Sequence, residues 1–215
     1  RESIQLISKC GLQNEGETRN NKIKHYNYSK EYIIWSVEKS IKDLKTDYLD
    51  LLLLHRPSPL MHPDEIAAAI TDLKEQGKIL DFGVSNFTPS QVNLINSKTP
   101  ISVNQIEFSL SQHTAMYNGT LDQILQQEIL PMSWSPLGTY FKEQNEANTR
   151  IKKVLDNLTK KYNATEDQVL LAWILKHPSK VSPVIGTTNK TRIENAVKAL
   201  KIDLELEDWF TMLVE

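Results

Sequence analysis

YLDLLLLHRP, residues 48–57, is an apolar run of strand length, broken only by Asp50 and closed by His55-Arg56-Pro57. A strand that is apolar at consecutive positions buries both faces, as strands do in a parallel sheet covered by helices. The flanks agree. Upstream, Ser29 can cap a helix in which Ile33, Ile34, Val37, Ile41 and Leu44 recur at helical spacing. Downstream, Pro63 to Gln76 reads as a helix with Pro63 near its start and Gly77 just past its end, and Ile79 to Val84 as the next strand.

The same alternation runs through the chain. Ser3 to Ser8 is an earlier strand, and Ile101 to Phe108, Ile129 to Ser135 and Val181 to Ile185 are later ones. Helices are expected from Thr88-Pro89 to about Asn96, over Leu121 to Gln127, Thr149 to Tyr162, Thr165 to His177, Arg192 to Leu200 and Glu205 to Leu213. Six strands in strict alternation with helices indicate an α/β fold with a parallel sheet. The closed eight-stranded barrel and the open doubly wound sheet both fit that pattern. No strand leads into G-x-G-x-x-G, which weakens the doubly wound reading. Polar residues gather instead at the C-terminal ends of strands: Lys9, His55, Ser85-Asn86, Gln105, Trp134-Ser135 and Thr187. In a barrel that is the active-site face. Six repeats fall two short of a closed (β/α)8 barrel. Gln13 to Tyr28 is polar and aperiodic and reads as a long loop on the pocket rim.

The chain has 215 residues, a formal net charge of -2 and 40% apolar residues, ordinary for one globular domain. Lys and Arg are interspersed with Asp and Glu, so no basic surface for nucleic acid is expected. No apolar run reaches the roughly 18 residues of a membrane span. The one cysteine, Cys10, permits no intrachain disulfide and suits a reducing, cytoplasmic setting. No metal site is expected, and the chain offers no sign of its oligomeric state.

His55 ends its strand where a neutral imidazole could hydrogen-bond a carbonyl oxygen rather than merely satisfy a loop. Lys9, in ISKCG, is either a snorkelling lysine or a cation that lowers the pKa of a neighbouring acid. Cys10 beside it reads as a small packed residue. Ser85 and Asn86 offer both donors and acceptors, which suits an amide. Asn104 and Gln105 point to opposite sides of their strand, so one of them faces inward. Trp134 is either core or a flat platform for an aromatic ring. Gly186-Thr187-Thr188 leads into a helix bearing Arg192, and hydroxyls, a helix N-terminus and a guanidinium make a phosphate site.

LDLLLLHRP, GKILDFGVSNF, VNQIEFS, SWSPLG and PVIGTTNKTRIENA, in that order, resemble the motifs of the aldo/keto reductases across essentially the whole chain. His55 to Met61 and Asn118 to Gln123 are most similar to a bacterial branch of predicted oxidoreductases in that family. The resemblance implies a (β/α)8 TIM barrel of aldo/keto reductase type, with residues 1–215 forming one domain that lacks its first two βα units. It implies NADPH as cofactor and a small-molecule aldehyde or ketone as substrate. Lys9 and His55 match the catalytic lysine and histidine. Ser85, Asn86 and Gln105 match the residues that hold the nicotinamide carboxamide, and Trp134 the aromatic that stacks on its ring. Ser135, Leu137 and Gly138 match the loop along the pyrophosphate. Gly186, Thr187 and Arg192 match the element around the adenosine 2′-phosphate, with Asn195 at the adenine.

Two departures stand out. Gly186 occupies the place of the family's usual lysine, so Arg192 carries most of the case for NADPH over NADH. The family's proton-donating tyrosine and the aspartate that pairs with its lysine lie upstream of Lys9, and Tyr26, Tyr28 and Tyr48 stand in the wrong elements to replace that tyrosine. Carbonyl reduction is therefore expected of the parent protein, and little or none of residues 1–215 alone. The alternative is a cofactor-binding module or regulatory subunit without turnover.

Overall fold

The protein is described by a computed structural model covering residues 1–16 and 20–214. It divides into two compact units, Arg1–Gln105 and Ile106–Glu215.

The first unit opens with β1 (Ile7–Cys10), β2 (Leu12–Gln13) and β3 (His25–Tyr26), followed by α1 (Lys30–Leu44), β4 (Leu49–Leu54), α2 (Pro63–Glu75), β5 (Ile79–Ser85) and α3 (Pro89–Asn96). β6 (Val103–Glu107) crosses the division between the units. β1, β4, β5 and β6 lie side by side, all parallel, with Ile7 opposite Leu51, Leu53 opposite Gly83 and Ser85 opposite Gln105. Leu51 to Leu54 are all buried, as a strand flanked on both edges and covered on both faces requires. Ser29 caps α1 by accepting from the Tyr32 amide at 3.3 Å. Thr88 and Gln91 form a reciprocal capping box on α3 behind Pro89. Gly83 is buried between Leu53 of β4 and Val103 of β6: a Cβ there would lie 2.5 Å from the Val103 carbonyl oxygen and 2.8 Å from Leu53 Cδ2.

Two segments differ from the reading of the sequence. The first strand begins at Ile7 rather than Ser3, because residues 1–6 are taken up by a turn that Arg1 fastens to β4. The Arg1 guanidinium pairs with Asp50 at 2.6 Å and lies 4.0 Å from the centre of the Tyr48 ring, while Asp50 also accepts from the Leu6 amide at 2.7 Å. These contacts explain the one acid in an otherwise apolar strand. The expected loop over residues 13–28 contains a short antiparallel ladder in which β2 pairs with β3; residues 17–19 of it lie outside the described residues.

The second unit holds α4 (Thr120–Gln126), β7 (Leu130–Trp134), α5 (Glu146–Lys161), α6 (Glu166–Leu175), β8 (Ser182–Pro183), α7 (Lys190–Lys198) and α8 (Leu206–Leu213). β7 and β8 pair in parallel, with Met132 opposite Ser182. α6 is buried on nearly every side, Val169 to Ile174 each being 3% exposed or less. It therefore carries no amphipathic stripe, and its start is set by the Thr165–Gln168 capping box. Trp173 stacks on Trp209 of α8, centroids 5.0 Å apart and planes 6° from parallel. Each indole N–H donates to the other residue's carbonyl, at 3.1 and 2.9 Å. β8 is shorter than the expected run of Val181 to Ile185.

Candidate active site

β1 and the end of β4 bring Lys9 and His55 to one cavity of about 760 Å³ in the first unit. Register explains it: Cys10 sits opposite Leu54, and the His55 amide donates to the Cys10 carbonyl at 3.0 Å. Alternation along β1 sends Ser8 to α1, where its hydroxyl meets that of Ser40 at 2.9 Å, and Lys9 to the opposite face. There the Lys9 ammonium donates to Gln105 Oε1. Lys9 makes no ion pair among the described residues.

Partial desolvation, reinforced by the charge of Arg56, draws the Lys9 pKa below its ordinary 10.5. Desolvation, with Lys9, Arg56 and Lys24 adding to it, draws His55 below its ordinary 6.5. His55 is thus neutral at pH 7, one ring nitrogen a donor and the other an acceptor. Its ring hydrogen-bonds no described residue.

Gln105 sits mid-strand in β6 and is buried, opposite the buried Ser85. Asn86 turns out of β5 in the left-handed region at φ 59°; its amide N–H donates to the Gln105 carbonyl at 2.8 Å and its side chain donates to Ser85 Oγ at 3.0 Å. Lys9, Gln105, Ser85 and Asn86 therefore form one polar cluster. Asn104 takes the other side of β6, donating to the Phe87 carbonyl at 3.0 Å. Burial pushes the Cys10 thiol up to about 12, as expected for an inert packed cysteine. Tyr28 is buried as well: its hydroxyl donates to the Arg56 carbonyl at 2.5 Å and accepts from the Arg56 amide at 3.2 Å.

In the second unit, Ser135, Leu137, Gly138, Gly186, Thr187, Arg192 and Asn195 all line a second cavity of about 720 Å³. Ser135 leaves β7 in the left-handed region at φ 50°, and the Gly138 amide closes the turn onto the Ser135 carbonyl at 2.8 Å. Gly138, at φ 56°, packs so closely that an added Cβ would lie 2.0 Å from Ser111 Oγ. At Gly186 a Cβ would meet nothing within 4 Å, so this wall is open to an occupant. Asn189 caps α7, accepting from the Arg192 amide at 3.2 Å. Gln168 of α6 ties down the second half of the same helix by donating to the Asn195 carbonyl at 3.1 Å. The Arg192 side chain has no partner among the described residues. A guanidinium, a hydroxyl and a helix N-terminus on one concave wall suit a phosphorylated ligand.

Trp134 ends β7 half-buried and is not among the residues lining that cavity. Both cavities also have walls that the sequence did not point to. Tyr32 and Trp35 of α1 line the first; Phe141, Lys142, Asp167 and Leu171 line the second. Asp167 reads in sequence as an acid in the first turn of α6, where the helix dipole already explains it.

The profile of the Aldo/keto reductase family matches residues 1–212. The uncharacterized oxidoreductase YcsN of Bacillus subtilis is 40% identical over 216 residues, covering 98% of this chain and 72% of its own length. The oxidoreductase YdhF of Escherichia coli is 39% identical over 213 residues, covering 98% and 71%. A 6-dehydroglucose reductase of Agrobacterium fabrum is 36% identical over 217 residues, covering 99% and 72%. The crystal structure of a thermostable aldo-keto reductase in complex with the inhibitor epalrestat superposes with a TM-score of 0.79 at 26% identity, over 87% of this chain and 67% of that one.

Proposed function

The chain belongs to the aldo/keto reductase family, with that family's α/β barrel fold class, and on that premise we propose that it is part of an NADPH-dependent carbonyl reductase of one domain spanning residues 1–215. The observation that carries the reading is the convergence of all seven residues expected along the pyrophosphate and adenosine on the second unit's cavity. Its donor set fits a phosphorylated adenosine, with Arg192 for the 2′-phosphate. Ser85, Asn86 and Gln105 are assigned the nicotinamide carboxamide, and Trp134 the face of the ring.

NADPH, when bound, supplies the hydride that reduces the carbonyl carbon. His55, kept neutral by its surroundings, donates a hydrogen bond to the carbonyl oxygen and holds it in place. Lys9, held by Gln105, is assigned the cation that lowers the pKa of the proton-donating acid. None of Tyr26, Tyr28 and Tyr48 is assigned the proton donor's role. The Tyr28 hydroxyl is held by the Arg56 peptide, and Tyr48 lies under the Arg1 guanidinium. Residues 1–215 alone are accordingly expected to turn over carbonyls slowly or not at all.

Titrating NADPH against tryptophan fluorescence tests the reading. Saturable quenching that weakens in Arg192→Ala supports it; a folded sample with no quenching defeats it. NADPH consumption with aldehydes, 6-dehydroglucose among them, by residues 1–215 at rates typical of an enzyme would defeat the inactivity of this stretch.

A further inference from the structure

The second unit's cavity carries one feature that an NADPH site does not need. Asp167, in the first turn of α6, lines it together with Arg192, Lys142 and Thr187. The carboxylate is half-buried and oriented: one oxygen accepts from the Thr165 hydroxyl at 2.5 Å. It forms no ion pair with Arg192, Lys142 or any other described residue, so neither cation neutralises it by contact. Two opposite preferences therefore line one cavity. A guanidinium favours the 2′-phosphate of NADPH, whereas a carboxylate accepts hydrogen bonds from the free ribose hydroxyls of NADH and repels a phosphate. The open space at Gly186 adds no third cation.

We propose that Asp167 sets the cofactor specificity of this site, offsetting Arg192 so that the cavity accepts adenosine with or without a 2′-phosphate. The proposal rests on the reading that this cavity holds the adenosine end of the cofactor. Thr165 keeps the carboxylate aimed, through a hydroxyl that its capping box with Gln168 leaves in place.

Calorimetric titration of the full chain with adenosine 2′,5′-bisphosphate and with adenosine 5′-monophosphate separates the two layers. Wild type is expected to bind both. Asp167→Asn keeps the shape and an oxygen for Thr165 but removes the charge. It should tighten the bisphosphate and weaken the monophosphate, moving their ratio by about fivefold, the size of one partly solvated charge contact. Arg192→Ala should move the ratio the opposite way. Thr165→Val, which disturbs the start of α6 without removing the charge, should lower the melting temperature and leave the ratio closer to wild type than Asp167→Asn does. An unchanged ratio in a folded Asp167→Asn protein, with Arg192→Ala still effective, overturns the role of Asp167 and leaves the cavity assignment standing. No binding of either nucleotide by folded wild-type protein overturns the cavity assignment, and this proposal with it.

Discussion

Replacing Gly83 by alanine puts a methyl group where the sheet has no room. Its Cβ would stand 2.5 Å from the Val103 carbonyl oxygen, 2.8 Å from Leu53 Cδ2 and 2.9 Å from Val103 Cβ. The leucine methyl can swing aside, but the carbonyl belongs to the neighbouring backbone. The contact is short by about 0.8 Å of a normal C···O approach of roughly 3.3 Å, and β5 and β6 must part to relieve it. Overpacking of this kind costs roughly 1–3 kcal/mol, and a clash with backbone belongs near the upper end. With a urea slope of about 2 kcal/mol/M, a loss of about 3 kcal/mol lowers the unfolding midpoint by about 1.5 M. Circular dichroism in urea reads the shift, and Gly186→Ala is the matched control. A Cβ there meets nothing within 4 Å, so its stability should stay within about 0.5 kcal/mol of wild type, a midpoint shift of no more than about 0.25 M. Gly83→Ala should also weaken NADPH binding, because Ser85 follows on the same face of β5 opposite Gln105. If Gly83→Ala matches wild type in urea, the account of how closely β5 and β6 pack is wrong.

Three further outcomes are expected. Tyr28→Phe removes the hydroxyl that both donates to and accepts from the Arg56 peptide; it should cost about 1–3 kcal/mol in thermal melting while leaving nucleotide binding to the second unit unchanged. Trp209→Phe loses the bond to the Trp173 carbonyl, about 1 kcal/mol, and should loosen α8 first, seen as faster amide exchange at residues 206–213. His55 has a folded pKa below its ordinary 6.5. Above 6.5 neither state is protonated there and its contribution is complete; as pH falls through 6.5 the unfolded chain takes the proton first, and stability drops until the folded pKa is passed. His177 shifts in the same direction through burial, so His55→Asn should remove only part of the acid-side slope of melting temperature against pH.

The alternation of strands and helices was legible because burial on both faces leaves unbroken apolar runs, and because Ser29, Thr88 and Thr165 mark where helices begin. Site residues at strand ends were legible for a related reason: a polar residue that interrupts an apolar run needs a partner or a ligand. Asp50 shows the ambiguity in that rule, since its partner is Arg1, forty-nine positions away in sequence and invisible to any local pattern. The turn over residues 1–6 and the pairing of β2 with β3 were missed for the same reason. Both rest on contacts rather than periodicity. Asp167 and Lys142 escaped because a charge in a helix's first turn or an exposed loop already has an ordinary explanation, and only the cavity shows what it faces.

The sequence contains four tryptophans, and the structure gives them unequal optical roles. Trp173, fully buried, and Trp209, half-buried, stack at 5.0 Å, close enough to share excitation as a coupled pair in the second unit. Trp35 is 52% exposed and answers to solvent. In a fluorescence experiment the wavelength of the coupled pair should move most when the C-terminal helix lifts away and exposes Trp173. The emission spectrum therefore carries its own control: a ligand that dims the signal without shifting that component has been bound, and one that shifts it has begun to unfasten the chain's end.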